Sequence, residues 1–553
     1  MRKIVVLLVP VLLAAFPVAG VNAGTAIELI PGQGHFPSVS ADGRYVAFTT
    51  YASDLVPDDT NAREDVFVYD RQTLAVSRVS VDSDGKQTGG PSGGSGPGAI
   101  SADGRHVAFV SFARDLVPDD TNGRVDVFVH DMVTGETRRV SVNSDGQQST
   151  GLVATPFAPA ISSNGRFVAF ESHSSDLVLG DDANGDVFIH DRDSDGNGIF
   201  DEPGGISTQL ASATIDGATS NGDSAAPVMS DDGRYVAFAS TASNLTADAD
   251  VAICGVSSEY NCSDIFVRDR VSESTTRISV STGDLGGNDS VTPSISSDGR
   301  WIVFSSEASN LVPGDSNNAR DVFLRDTWNG ETSRISVNSG GEQGNAASCP
   351  LHGPAFFPCT AISRDGRLVF FESDAWNLVA DDTNCQTDIL VRDRQDGTTR
   401  RMSVDAAGNQ LNGPSNSPNV AGGAPLLLFG STASDIIPGL PEPTYNLSVR
   451  NLDAAGSLSV PNEPVRGQSH AGGTPCASPF GDVDCDLDVD SVDALAVLRF
   501  VAKIGLRTDC MLSRGNVDCY FHPQIDSVDA LLILRRVAGI LPGLPVCPIS
   551  SAR

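Results

Sequence analysis

Basic residues are scarce in this chain, with 37 Lys and Arg against 70 Asp and Glu over 553 residues, a formal net charge of −33. Nucleic acids and anionic membranes repel such a surface, so neither is an expected partner. Calcium is the partner that this balance favours. Long apolar runs are also missing after the first residues. The run from Ile4 to Ala15 follows Met1-Arg2-Lys3 and precedes Val21-Asn22-Ala23-Gly24. It is too short to span a bilayer and has the charged, apolar and small-residue sections of a signal peptide, cut after Ala23. Residues 1–23 are therefore read as a leader, and the mature protein as secreted, extracellular or at the cell surface, with the periplasm allowed.

Hydrolytic signatures are equally sparse. Gly90-Pro91-Ser92-Gly93-Gly94 fits the nucleophile pattern Gly-x-Ser-x-Gly in letters, but it lies in a Gly/Ser-rich loop and not on a strand-to-helix elbow. His35, His106, His130, His173, His190 and His352 have no ligand-like spacing. Trp301, Trp328 and Trp376 suit either a sugar-stacking face or a blade interior. The ten cysteines, an even number in an exported chain, point to disulfides and away from a catalytic thiol.

What the chain does have is a repeat. Ser40-Ala41-Asp42-Gly43-Arg44-Tyr45-Val46-Ala47-Phe48 returns at 101, 162, 230, 296 and 363, at intervals of 61 to 68 residues. Each copy is followed by a loop like Ser53 to Pro57, a strand like Asp65 to Asp70, and a segment like Arg78-Val79-Ser80-Val81. Alternating β-branched and aromatic residues, with Asp-Gly between the first two strands, predict four strands per unit. A seventh unit, about 417–460, keeps Leu426-Leu427-Leu428-Phe429 but lacks the Asp-Gly-Arg turn. Such sheets hide their faces and edges when arranged radially. The expected fold is mainly β, a six- or seven-bladed β-propeller over residues 24–460, with the strand from Ala26 to Ile30 able to pair with the last blade and close the ring.

These units, Ser-x-Asp-Gly-Arg-x-Val-Ala-Phe and then Asp-Val-Phe-Val-x-Asp-Arg, resemble the WD-like propeller repeats of the TolB type. The resemblance implies the fold and little about activity, because propellers serve many functions. Residues present in every blade are read as structural: Asp42, Asp103, Asp232, Asp298 and Asp365 in turns, and Asp70, Asp131, Asp191, Asp269, Asp326 and Asp393 at the end of the third strand. Features of one blade are the functional candidates.

The sharpest such feature is Asp191-Arg192-Asp193-Ser194-Asp195-Gly196-Asn197, running on to Glu202, which matches the Asp-x-Asp-x-Asp-Gly-x5-Glu calcium loop. Asp191, Asp193, Asp195 and Glu202 supply carboxylates and Asn197 its backbone carbonyl. A metal-free Asp-Gly-rich hairpin is the alternative. Cys254 with Cys262, and Cys349 with Cys359, are close enough in sequence to clip their own loops, which leaves Cys385 without a local partner.

After a linker at 461–479 the period changes from strand to helix. Gly481 opens a loop with Asp482, Asp484, Asp486, Asp488, Asp490 and Asp493, leading into Leu495 and Leu498. A second copy carries Asn516, Asp518, Asp526 and Asp529, leading into Leu531 and Leu534. This duplication, residues 480–548 with a tail at 549–553, resembles a type I dockerin, a small α-helical module that docks onto cohesins through calcium-ordered loops. The resemblance implies calcium at those residues, Asp488 through its carbonyl, and partner contacts at Ser491-Val492 and Ser527-Val528. Leu487 replaces the family's Gly, and in the second loop Tyr520 replaces an acid and two residues are inserted before Asp526. The symmetry of the copies suggests disulfides Cys485–Cys510 and Cys519–Cys547, with Cys476 left for Cys385. A self-contained clasp capping the propeller is the alternative to docking.

The leading expectation is a calcium-binding propeller that binds protein or glycan, with a cohesin-like partner at its C-terminal end. A polysaccharide hydrolase or lyase, and a structural surface component, are the competing classes. Catalysis is the less favoured because no unique cluster of His, Glu or Asp stands out on the propeller.

Overall fold

The computed structural model describes residues 27–452 apart from 90–97, 152, 154–157, 183, 248–261, 282–288, 351–357, 425 and 438–444. The expected leader, the linker and the whole dockerin-like module lie outside the described residues. So do Cys254, His352 and the Gly90 to Gly94 pattern. Among the described residues no helix is long and apolar enough to cross a membrane.

Seven four-stranded antiparallel sheets form the blades of the propeller. In blade 1 the strands are His35–Val39, Tyr45–Thr50, Asp65–Asp70 and Ala75–Arg78, and blades 2 to 6 repeat this order. Blade 7 takes three strands from the end, Ser415–Val420, Leu426–Ser431 and Asn446–Asn451, and its fourth from the beginning. That strand, Ile27–Leu29, pairs with the last one through Ile27↔Arg450, Glu28↔Val449 and Leu29↔Ser448, so the ring closes as expected. The number of blades is seven, not six. Blade 7 is hard to count from sequence because Ala421-Gly422-Gly423-Ala424 stands where the other units have their Asp-Gly-Arg turn.

The recurring letters of the repeat each have a local task. Ser40 Oγ donates to Asp42 Oδ1 at 2.6 Å and accepts from the Tyr45 amide at 2.9 Å, which folds the turn. The variable second residue works through its backbone. The amides of Ala41, Ala102, Ser163, Asp231 and Ser297 each donate to the carbonyl of the same position in the next blade, at 2.8–3.2 Å. In blade 7 the Gly423 and Ala424 amides donate to the Ala41 carbonyl at 2.8 and 2.7 Å, which ties the last blade to the first. A stitch made by backbone atoms tolerates any side chain, which is why this position varies.

The third strand is held at both ends. Ser80 Oγ donates to Asp65 Oδ1 at 2.6 Å, and Arg44 grips Asp70 through two hydrogen bonds at 3.0 and 2.7 Å. The same fork joins Arg105–Asp131, Arg166–Asp191, Arg234–Asp269, Arg300–Asp326 and Arg367–Asp393. It holds the Asp70, Asp269 and Asp326 carboxyls below the usual carboxylate range. The sequence pattern puts Arg78 to Val81 in the fourth strand, but that strand ends at Arg78. Ser80 is spent on Asp65, which turns the chain away toward the next blade.

Between these ends, cross-strand Phe pairs such as Phe48–Phe67 and Phe170–Phe188, with ring centroids 5.9 Å apart, are fully or nearly fully buried. Each packs into an inter-blade cluster that also receives the loop Leu, for example Leu116 and Leu177. Burial of one such large side chain contributes roughly 1.5–3 kcal/mol.

Glu171 is an exception to this apolar packing between blades 3 and 4. It is 8% exposed, and burial, with the charge of Asp223 adding to it, pushes its carboxyl up to about 8. A carboxyl raised on folding binds more protons in the folded than in the unfolded state from about pH 4.5 up to its folded value, so its contribution falls as pH rises through that window. Asp388, pushed up to about 6 by burial, acts in the same sense. Glu171→Gln is therefore expected to stabilise the propeller by on the order of 1–4 kcal/mol at pH 8 and by much less at pH 5. Thermal melts of both proteins at the two pH values read this difference.

Candidate central channel and blade 3 loop

The first strands of all seven blades surround an axial cavity of about 320 Å³. Pro37, Pro159, Pro227, Pro293, Pro358 and Pro418 line it, one from each blade except blade 2, which contributes Gly98 and Ala99. Proline has no amide to donate, so it suits the innermost strand, which has a partner on one side only. The residue before it is left-handed in four blades: Phe36, Ala226, Thr292 and Ser417 have φ of 52–54°. There the pairing slips, between His35 and Ser38, Ala225 and Val228, Val291 and Ser294, and Asn416 and Asn419. Such bulges bend the strand around the axis.

Among the described residues lining the channel none is Asp, Glu, His, Cys, Tyr, Lys or Arg. Its polar groups are hydroxyls and one amide, including Ser38, Ser294, Thr360 and Asn419. Acid–base or nucleophilic catalysis needs a titratable group within reach of substrate. This wall offers hydrogen bonds and apolar contact.

Three histidines, His106, His130 and His190, are buried inside the blades. His130 Nδ1 and His190 Nδ1 each lie 2.9 Å from a Thr hydroxyl, Thr137 and Thr208. Burial lowers His106, His130 and His190, the first and last to about 4, so all three are neutral near pH 7. Trp301 is partly buried against the cluster between blades 5 and 6, with the Arg300 and Arg394 guanidiniums over its ring at 4.3 and 3.6 Å. Trp328 is 64% exposed beside Arg300, and Trp376 is half-buried.

The loop from Asp191 begins where the third strand of blade 3, Asp186–Asp191, ends. Asp191 is gripped by Arg166 at 2.7 and 2.8 Å, the same fork as in its sister blades. Asp193 is buried and accepts from the Gly198 amide at 3.2 Å, while the Asn197 side-chain amide bridges Asp195 and Glu202. Arg192 turns to Asp201, a residue the calcium motif does not use, and to the Gly165 carbonyl. Asp195, Asn197 and Glu202 thus meet, and Asp191 already has a cation, an arginine. Asp191→Asn is expected to cost about 1–3 kcal/mol with or without calcium, by weakening that fork, whereas Asp195→Asn changes only the response to calcium. Chemical denaturation in calcium and in chelator separates the two.

Cys349 and Cys359 form the expected disulfide, buried, with Cα atoms 5.3 Å apart. Cys262 is disulfide-bonded and buried. Its expected partner Cys254 lies outside the described residues, as do Asp482, Asp484, Asp486, Asp488, Asp490, Asp493, Asn516, Asp518, Asp526 and Asp529. The same holds for Ser491, Val492, Ser527, Val528, Cys476, Cys485, Cys510, Cys519 and Cys547.

Sequence reasoning missed three features. The channel prolines carried a signal: Pro37, Pro159, Pro227 and Pro293 each stand three residues before the Ser of the turn. Glu171 has no local signal, since its burial depends on blade 4. The third is a carboxylate cluster at Asp181, Asp182 and Asp186, whose oxygens lie within 4.8 Å of one another.

No protein-family model matches the chain, and no curated protein matches its sequence. Solved structures similar to it include the oligogalacturonate lyase VPA0088 of Vibrio parahaemolyticus, 13% identical over 78% of this chain and 93% of that one, with a TM-score of 0.42. The Cps50 (Swd1) propeller domain of Myceliophthora thermophila is 10% identical over 76% and 99%, TM-score 0.39. TolB from Acinetobacter baumannii is 12% identical over 76% and 79%, TM-score 0.30.

Proposed function

We propose that this chain is an exported, calcium-binding propeller that binds a protein or glycan ligand, with a dockerin-like C-terminal module that docks it onto a cohesin-like partner. The observation that carries the binding reading is the channel wall, where seven blades contribute hydroxyls, an amide and apolar surface but no described titratable side chain. The recurring Asp and Arg residues are spent on one another in six blades, which removes the most numerous candidates for acid–base work. The buried Cys349–Cys359 disulfide supports export to an oxidising compartment. Calcium at the Asp191 to Glu202 loop and at the Asp482 to Asp493 and Asn516 to Asp529 loops belongs to the same reading, with affinities of roughly 10⁻⁴ to 10⁻³ M typical of extracellular modules.

The test is incubation of the full mature chain, in millimolar calcium, with a panel of acidic and neutral polysaccharides and with an immobilised type I cohesin. Calcium-dependent retention on cohesin or glycan, without release of new sugar ends, is the expected result. Release of reducing or unsaturated ends that survives purification overturns it in favour of a polysaccharide hydrolase or lyase.

A further inference from the structure

The blade 3 cluster differs from its counterparts in the sister blades. Four residues beyond the loop Leu stands an Asp: Asp59, Asp120, Asp315 and Asp382 in blades 1, 2, 5 and 6, and Asp181 in blade 3. In each case it lies near the first Asp of the third strand, namely Asp65, Asp126, Asp321, Asp388 and, in blade 3, Asp186. Two carboxylates so close need a positive neighbour. In blades 1, 2, 5 and 6 an arginine of the fourth strand supplies it. Arg78, Arg139, Arg334 and Arg401 each reach both carboxylates, at 2.9–3.8 Å. In blades 1, 5 and 6 a glutamine amide, Gln87, Gln343 or Gln410, also donates to both.

Blade 3 has lost both donors. The register that sets Arg78 opposite Phe67 and Arg334 opposite Phe323 sets Leu210 opposite Phe188, and Thr219 stands where the glutamine would. It has also gained an acid, since Asp182 follows Asp181 where the sisters carry Thr60, Thr121, Ser316 and Thr383. Asp186 is 0% exposed. Its Oδ1 accepts from Ser212 at 2.5 Å and Ser220 at 3.0 Å, while its Oδ2 has no hydrogen-bond partner, and neither has either carboxylate oxygen of Asp181. A buried anionic oxygen without a partner is costly.

We propose that Asp181, Asp182 and Asp186 bind one divalent cation, calcium, in the place that an arginine fills in the sister blades. The charges agree: two carboxylates with one arginine, and three carboxylates with one divalent cation, both leave a single negative charge. A donor set of carboxylate oxygens completed by water suits calcium and disfavours zinc, which prefers nitrogen and sulfur. Asp182 is exposed, so the ion enters from solvent, and Ser212 and Ser220 fix the buried carboxylate. The ion ties the loop before Asp186 to the third strand, as arginine does elsewhere. This site is separate from the Asp191 loop, since Asp186 and Asp191 sit at opposite ends of one strand, roughly 17 Å apart at about 3.4 Å per residue.

The test is calorimetric titration of the full mature chain with calcium chloride, against Asp182→Thr and Leu210→Arg, which restore the sister blades' residues. Both variants leave every ligand of the Asp191 and C-terminal loops intact, so the outcome is independent of the docking proposal. Each is expected to bind one calcium fewer than wild type, and the thermal stability of Leu210→Arg becomes less sensitive to chelator. Asp182→Thr changes an exposed residue and serves if the arginine variant does not fold. Wild-type stoichiometry in both folded variants, or in Asp182→Thr when Leu210→Arg fails to fold, overturns the proposal and leaves Asp181 and Asp186 sharing a proton.

Discussion

Deleting residues 24–30 is expected to lower the melting temperature of the propeller by about 5 °C or more and to make it prone to self-association. The strand removed is the fourth of blade 7, and it is the only link that joins the two ends of the ring through a sheet among the described residues. Ile27 and Ile30 are 9% and 4% exposed, and Ile27 packs with Phe370, Leu427 and Phe429 while Ile30 packs with Phe48 and Phe67. Losing these with Leu29 forfeits about 4–8 kcal/mol of burial. In a propeller of this size each kcal/mol corresponds to roughly 1 °C. The Arg71–Glu28 ion pair at 2.8 Å, which ties blade 1 to the closing strand, goes as well. The strand Asn446–Asn451 is then left with an open edge, a template for pairing with another chain. Calorimetric melting and sedimentation of the shortened chain read both effects, and an unchanged melt would mean that the closure is dispensable.

Gly233→Ala is expected to cost about 2–5 kcal/mol, roughly twice as much as Gly85→Ala. Both glycines have left-handed backbones, with φ of +68° and +77°, so alanine pays a conformational penalty of about 1–2 kcal/mol at either. A Cβ on Gly85 meets nothing within 4 Å, but a Cβ on Gly233 would lie 2.4 Å from Phe167 Cδ2. Phe167 cannot swing aside, because the Arg270 guanidinium stacks on its ring at 3.9 Å and is itself bonded to the Gly233 carbonyl. The difference between the two variants is the overpacking cost, about 1–3 kcal/mol. Equal losses from denaturant midpoints would show that the turn conformation alone requires glycine there.

This pairing explains why the repeat is so legible. In blades 2 to 6 the glycine of the turn is demanded twice, by its own φ and by an aromatic ring of the preceding blade, and the Arg is demanded by the third-strand fork. Residues under several local demands recur along the chain, so the strands, the turn and even the closing strand can be placed from the residues alone. Blade 7 is harder to count because its turn uses two backbone amides on the Ala41 carbonyl in place of a side-chain fork. The fourth strand is easily misplaced because Val79-Ser80-Val81 has strand composition while Ser80 is occupied by Asp65.

The candidate sites are only partly legible. The Asp191 to Glu202 motif is visible as letters, but the duty of Asp191 to Arg166 depends on the repeat and not on the motif. The blade 3 cluster is concealed because paired acids occur in several units, as at Asp58-Asp59 and Asp119-Asp120. What distinguishes blade 3 is a missing arginine at Leu210, a long way along the chain from Asp181. A lost arginine leaves no pattern of its own, and the acid gained at Asp182 reads as one more such pair. The channel lining is formed by one short strand per blade, so its lack of titratable groups is a property of seven segments together.

The most direct measurement of the whole account is a calcium titration of the full mature chain by calorimetry, with helicity followed by circular dichroism. The expected result is uptake of more than one ion at submillimolar to millimolar calcium, together with a gain in helical signal that the all-β propeller cannot supply. No uptake at millimolar calcium and no change in helicity would contradict it, leaving a seven-bladed propeller without the ion-ordered docking end.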